Sequence, residues 1–182
     1  MLFHSVLGLR SAEHLAAERL RSAGHEVTTP DLFAGETAST IDAGFQLLDQ
    51  IGWSTLLDRA RKSLADLPAD TVLSGLSMGT QVAADLWPER PETAAVVLLH
   101  AAPELPTPVR RGIKVQLHAA DPDEFAPQER VESLQQEAEK HGVNLEVFRY
   151  SGAGHFYTDP ELPDHDPAAA EQTWQRVLAF LG

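Results

Sequence analysis

The grouping best suited to chemistry is Gly75-Leu76-Ser77-Met78-Gly79, a serine with a glycine two positions away on either side. The run Thr71–Ser74 ahead of it has the length and residue types of a strand, and Met78–Leu86 after it has helical spacing closed by Pro88. A serine on so tight a strand-to-helix turn stands with its hydroxyl exposed at the sheet edge, as a nucleophile requires. The glycines remove Cβ atoms where chains crowd, and the helix aims free N–H groups and its positive end at any oxyanion formed there. A serine nucleophile needs a base and an acid.

Both follow in chain order. The strand candidate Ile113–Ala119 runs out into Ala120-Asp121-Pro122-Asp123-Glu124, where Asp121 is the first carboxylate past the strand end. Asp123 competes with it if the turn lies one register later. The last strand candidate, Asn144–Tyr150, leads into Ser151-Gly152-Ala153-Gly154-His155. An Asp-Pro turn is an ordinary loop device, and a lone loop histidine is usually solvated. The informative observation is that serine, acid and histidine each follow a strand, in the order nucleophile, acid, base.

Other polar residues fit less specific roles. Arg10, just after the first apolar run, leads a set with Arg110, Arg111 and Arg149 suited to holding a substrate carboxylate. His100, at the end of a strand candidate, is placed to line a pocket. His4 and His118 lie inside strand candidates and are read as core residues, while Trp53, Trp87 and Trp174 are read as core or helix-packing residues. Asp164-His165-Asp166 are too close in sequence to surround an ion, so no metal is expected. Nothing else in the chain calls for a cofactor.

The elements that must position these residues alternate along the chain. Apolar runs at Leu2–Leu7, Glu26–Thr29, Thr71–Ser74, Ala94–His100, Ile113–Ala119 and Asn144–Tyr150 are too short for independent helices. Between them lie helical patterns at Ser11–Ala23 (with Ser11 as N-cap), Thr40–Leu67 (broken near Gly52), Met78–Leu86, Glu129–His141 and Pro167–Leu181. Such alternation predicts an α/β fold of about six mostly parallel strands with helices on both faces. Its ligands bind beyond the carboxyl ends of the strands. Ala101–Arg111, with three prolines, is the best candidate for a segment covering the site.

Composition bounds the rest. One domain accounts for 182 residues, and 43% apolar content supplies its core. The absence of cysteine excludes disulfides and a thiol nucleophile. With 14 basic against 27 acidic residues the net charge is −13, which argues against a nucleic-acid partner. No apolar run nears the roughly 18 residues of a membrane span, and no signal-peptide pattern opens the chain. A cytoplasmic monomer acting on a small molecule is expected.

The chain resembles the dienelactone hydrolase family of α/β-hydrolases. The resemblance rests on Leu7-Gly8-Leu9-Arg10, Gly24-His25-Glu26-Val27 with Pro30-Asp31-Leu32-Phe33, the serine pentapeptide, Gly154-His155-Phe156, and Asp166-Pro167-Ala168-Ala169-Ala170 with Trp174. It implies a minimal α/β-hydrolase fold with Ser77 as nucleophile, His155 as general base and Asp121 as orienting acid. It also implies the backbone N–H groups of Met78 and Val6 as oxyanion donors. The enzymes that name the family use cysteine and a glutamate near the first strand; here those positions are Ser77 and Ser5. A serine esterase acting on a small ester or lactone is the activity so implied. The alternatives are a thioesterase or acyltransferase with the same triad, and a non-catalytic binding protein on this fold.

Overall fold

The computed structural model describes all 182 residues. Its sheet contains five parallel strands in sequential order: β1 (Leu2–Phe3), β2 (Leu73–Leu76), β3 (Ala95–Leu99), β4 (Lys114–Asp121) and β5 (Asn144–Ser151). The helices are α1 (Ser11–Ser22), α2 (Ile41–Ile51), α3 (Trp53–Leu64), α4 (Met78–Leu86), α5 (Gln128–His141) and α6 (Pro167–Leu181). None is long and apolar enough to cross a membrane.

Strand alternation divides the core into two layers. Phe3, Leu73, Val96, Leu98, Val115 and Leu117 pack against α3, α4 and α5. Leu2, Leu76, Val97 and Leu99 face α1 and α6 through Ala16, Leu20, Trp174 and Val177. With both faces covered, β3 is buried throughout, which is why it reads as a continuous apolar run.

The expected sixth strand does not form. Glu26–Thr29 forms no strand and meets β1 through Leu2 N–H to Thr28 O, at 2.9 Å. The expected Leu2–Leu7 strand ends at Phe3, because Ser5 to Gly8 close a turn (Gly8 N–H to Ser5 O, 3.1 Å). A two-residue strand offers too little ladder for the Glu26–Thr29 segment to pair with.

The same edge determines where a ligand would bind. The chain leaves β1 through α1 on one face, passes along the edge, and returns to β2 through α2 and α3 on the other face. Open parallel sheets bind ligands beyond the carboxyl ends of their strands, here where the end of β1 meets the start of α4. Ser77 lies there.

Of three smaller expectations, two change and the break near Gly52 holds. The N-cap of α1 is Arg10 rather than Ser11, and the Arg10 N–H donates to Glu13 Oε2 at 3.0 Å. The break between α2 and α3 falls at Gly52, whose φ of 81° suits glycine. Ala101–Arg111 is not a free covering segment but is anchored between helices. Pro103, Leu105 and Pro106 pack beside Trp87, Leu98 and Leu134, between α4 and α5. Leu105 N–H and Arg130 bonds to Glu137 and Pro103 O tie the segment to α5.

Candidate active site

Ser77 occupies a backbone conformation that side chains avoid, with φ 51° and ψ −113°. Such a residue costs on the order of 1–3 kcal/mol unless its surroundings hold it. Here Ser77 N–H donates to Leu99 O at 2.7 Å, and Ser77 O accepts from Thr80 N–H (2.9 Å) and Thr80 Oγ1 (2.8 Å). The flanking glycines are sterically required. A Cβ on Gly75 would meet Gly79 C and O at 2.1 Å, and one on Gly79 would meet Phe3 O at 2.4 Å and His4 O at 2.8 Å. The turn is therefore wedged against the end of β1.

The Ser77 hydroxyl lies 2.9 Å from His155 Nε2, and His155 Nδ1 lies 2.9 and 3.0 Å from the two Asp123 carboxylate oxygens. Asp123 is fully buried as a side chain, and its Oδ1 also accepts from Phe125 N–H at 2.9 Å. A neutral imidazole bonded in this way carries its proton on Nδ1 and offers Nε2 to the serine, so the line can take a proton from Ser77. The imidazole packs against the Phe125 and Phe156 rings, at centroid distances of 4.6 and 4.4 Å.

Asp121, the first choice from sequence, is not the residue beside His155. It closes β4: its carbonyl accepts Gly152 N–H at 2.9 Å, and its carboxylate pairs with Arg149 at 2.9 Å. The strand runs two residues past its expected end, so the first carboxylate clear of it is Asp123.

On the other side of Ser77 is the turn carrying Val6. Buried Glu13, reaching back from α1, accepts from Ser5 N–H (3.2 Å), Ser5 Oγ (3.1 Å) and Arg10 N–H (3.0 Å). Ser5 Oγ in turn accepts Leu7 N–H at 3.3 Å. These bonds engage the N–H groups on both sides of Val6, whereas Val6 N–H donates to no group of the chain. Burial pushes the Glu13 carboxyl up from its ordinary value, against the pull of its donors. Gly44 of α2 closes the turn from outside, where a Cβ would meet Val6 O at 2.3 Å. Neither Glu13 nor Gly44 stands out in the sequence.

Comparison with known proteins agrees with this architecture. The model of the dienelactone hydrolase family matches residues 1–182. The chain belongs to the dienelactone hydrolase family. A protein of Aquifex aeolicus (strain VF5) assigned as a carboxymethylenebutenolidase is 23% identical over 198 residues, covering 100% of this chain and 86% of that one. Among solved structures, a dienelactone hydrolase-like promiscuous phosphotriesterase from metagenomic libraries superposes with a TM-score of 0.77 at 19% identity, over 99% of this chain and 84% of the other. A metagenome-derived lipolytic enzyme gives 0.71 at 17% identity, over 99% and 91%. These structures share the α/β-hydrolase fold, and family membership makes the chain a hydrolase.

In this dienelactone hydrolase family member the cationic candidates are engaged by other groups or lie at the amino end of the sheet. Arg10 forms an ion pair with Asp159 that ties the start of α1 to the loop after His155, so it is not a free carboxylate ligand. Arg149 is held by Asp121 and by Ala126 O. Arg110 and Arg111 precede β4, at the amino end of the sheet, where Arg110 bonds Thr93 O. His100 is fully buried and does not line a pocket. Its Nε2 meets Thr158 Oγ1 at 2.8 Å, and its ring packs behind His155 at 5.8 Å. Burial holds its pKa well below the ordinary imidazole value, so it places no second cation beside His155. Asp164 and Asp166 are likewise engaged, accepting from Phe156 N–H and capping α6.

Proposed function

We propose that the protein hydrolyses small carboxylic esters or lactones through an acyl-enzyme on Ser77. The observation that carries this reading is the continuous line from Ser77 Oγ through His155 to Asp123, with 2.9 Å contacts on both sides of the imidazole. Ser77 Oγ attacks the carbonyl carbon as its proton passes to His155 Nε2. The carbonyl oxygen becomes an oxyanion facing the N–H groups of Val6 and Met78, each worth a factor of about 10²–10³ in rate where such donors have been removed. The C–O bond to the leaving alcohol then breaks, and His155 returns the proton to that oxygen. Water, deprotonated by His155, cleaves the acyl-enzyme and restores Ser77. Asp123 keeps the imidazole in the required tautomer and stabilises its cationic form.

A fluorophosphonate probe tests the nucleophile. Adduct formation on Ser77, with turnover of short p-nitrophenyl esters that falls on the order of 10⁶-fold in Ser77→Ala, is the expected result. Folded wild-type protein that neither labels at Ser77 nor turns over any such ester would exclude the reading.

A further inference from the structure

Two large apolar side chains are exposed on the molecule, Leu15 and Phe45, and only Phe45 connects to the site. Phe45 sits in the first half of α2 with 41% of its surface exposed. Its ring stacks on Phe125, with centroids 6.3 Å apart and planes 28° from parallel. Phe125 in turn lies against the imidazole of His155. The residue before Phe45 is Gly44, whose Cα is seated on the Val6 carbonyl. Phe45 therefore bridges the turn at Val6 and, through Phe125, the side holding His155.

The position of Phe125 is fixed by its backbone. Its N–H is held by Asp123 and its carbonyl accepts Ala102 N–H at 3.1 Å. The aromatic row is thus tied to the same carboxylate that orients the imidazole. A single exposed phenylalanine is ordinary, but a stacked pair running out from a proton-transferring histidine offers a ready face for another flat apolar group.

We propose that Phe45 and Phe125 form an aromatic subsite for the alcohol portion of the ester, and that the substrates it selects are uncharged esters of arylmethyl or similar bulky apolar alcohols. This rests on the proposed serine-esterase reading. In that reaction His155 delivers its proton to the leaving oxygen, so this oxygen lies at Nε2 and its substituent falls on the His155–Phe125 side. The oxyanion occupies the opposite side, at Val6 and Met78. The charge class follows from the neighbouring cations. Arg149, bonded to the carbonyl next to Phe125, is neutralised by Asp121, and Arg10 by Asp159, in a chain of net charge −13. A carboxylate on the alcohol would find no free cation among them.

The test compares kcat/KM for benzyl acetate, ethyl acetate, ethyl phenylacetate and 4-carboxybenzyl acetate in wild type, Phe45→Ala and Phe45→Tyr. Thermal unfolding is followed in parallel to verify that each variant is folded. Wild type is expected to prefer benzyl over ethyl acetate and to discriminate against the carboxybenzyl ester. Phe45→Ala is expected to lower the benzyl-to-ethyl ratio about tenfold, and Phe45→Tyr to retain it. An unchanged ratio in Phe45→Ala would overturn the subsite. A loss confined to ethyl phenylacetate would overturn its assignment to the alcohol, and equal use of the carboxybenzyl ester would overturn the charge class. Failure of the wild type on all four esters, with no fluorophosphonate adduct on Ser77, would instead overturn the esterase reading and the subsite with it.

Discussion

Ser77 is approached from two sides that are constructed differently. On the β4–β5 side, the proposed proton-transfer atoms belong to side chains, Asp123 and His155, carried on loops that leave adjacent strands. On the β1 side, the proposed oxyanion donors are backbone N–H groups. What positions them is close chain approach: Gly79 on Phe3 O, Gly44 on Val6 O, and Glu13 reaching back to Ser5. A side-chain site can be altered atom by atom while the fold stands. A backbone site shifts whenever its neighbours gain volume or lose a hydrogen bond. The two sides should therefore respond differently to substitution.

The largest contrast lies within the side-chain half, between two aspartates two residues apart. Asp123→Asn leaves the imidazole in the wrong tautomer, and ester turnover should fall on the order of 10⁴-fold. Asp121→Asn breaks only a half-exposed pair with Arg149 and should change turnover less than about threefold. Steady-state kinetics of both variants on one p-nitrophenyl ester decide between them. Equal losses would mean that the order of the two carboxylates in solution differs from the one described.

The backbone half is tested by Gly44→Ala. Alanine in a helix interior is ordinarily more favourable than glycine by about 0.5–1 kcal/mol. Here the new methyl would meet the Val6 carbonyl and must push that peptide aside. The expected outcome is a loss of about 10²-fold in kcat with a much smaller change in KM, the result of displacing one oxyanion donor. Gly24→Ala serves as a contrast, since nothing lies within 4 Å of its Cβ position and only its positive φ is strained. It should lower thermal stability and leave kcat in place. A Gly44→Ala enzyme with wild-type kcat would remove Val6 from the mechanism.

The same division explains what could be read from the sequence. The α/β class, all six helices and the loop positions of Ser77 and His155 follow from short apolar runs alternating with helical spacing. Taking the first carboxylate past β4 as the neighbour of the histidine matches the geometry, since that residue is Asp123. From sequence the same rule selects Asp121, because β4 runs two residues past the end of its apolar run and strand ends leave little mark in sequence. Arg10 looked free because its partner, Asp159, lies 149 positions away. Glu13 reads as an ordinary helix-surface acid; only the fold brings it under Ser5. Gly44 reads as a weak point in a helix, and its contact with Val6 exists only in three dimensions.

Glu13 supplies the smallest effect, and it carries a sign that can be checked. Burial raises its folded pKa, so the native protein holds this proton to higher pH than the unfolded chain does. The stability associated with that proton is fully present below the ordinary carboxylate value and is lost as pH rises through the folded value. Glu13→Gln removes the titration while keeping a carbonyl oxygen for two of the three donors. Denaturant unfolding between about pH 4 and pH 7 should show the advantage of wild type over the variant shrinking as pH rises. Turnover should fall about tenfold at neutral pH, mainly in kcat, since the Ser5 turn loses a charge-assisted partner and Val6 loses its fixed position. Parallel stability curves would show that Glu13 has the same pKa folded and unfolded. Unchanged kcat would show that Gly44 and the turn hold Val6 without it.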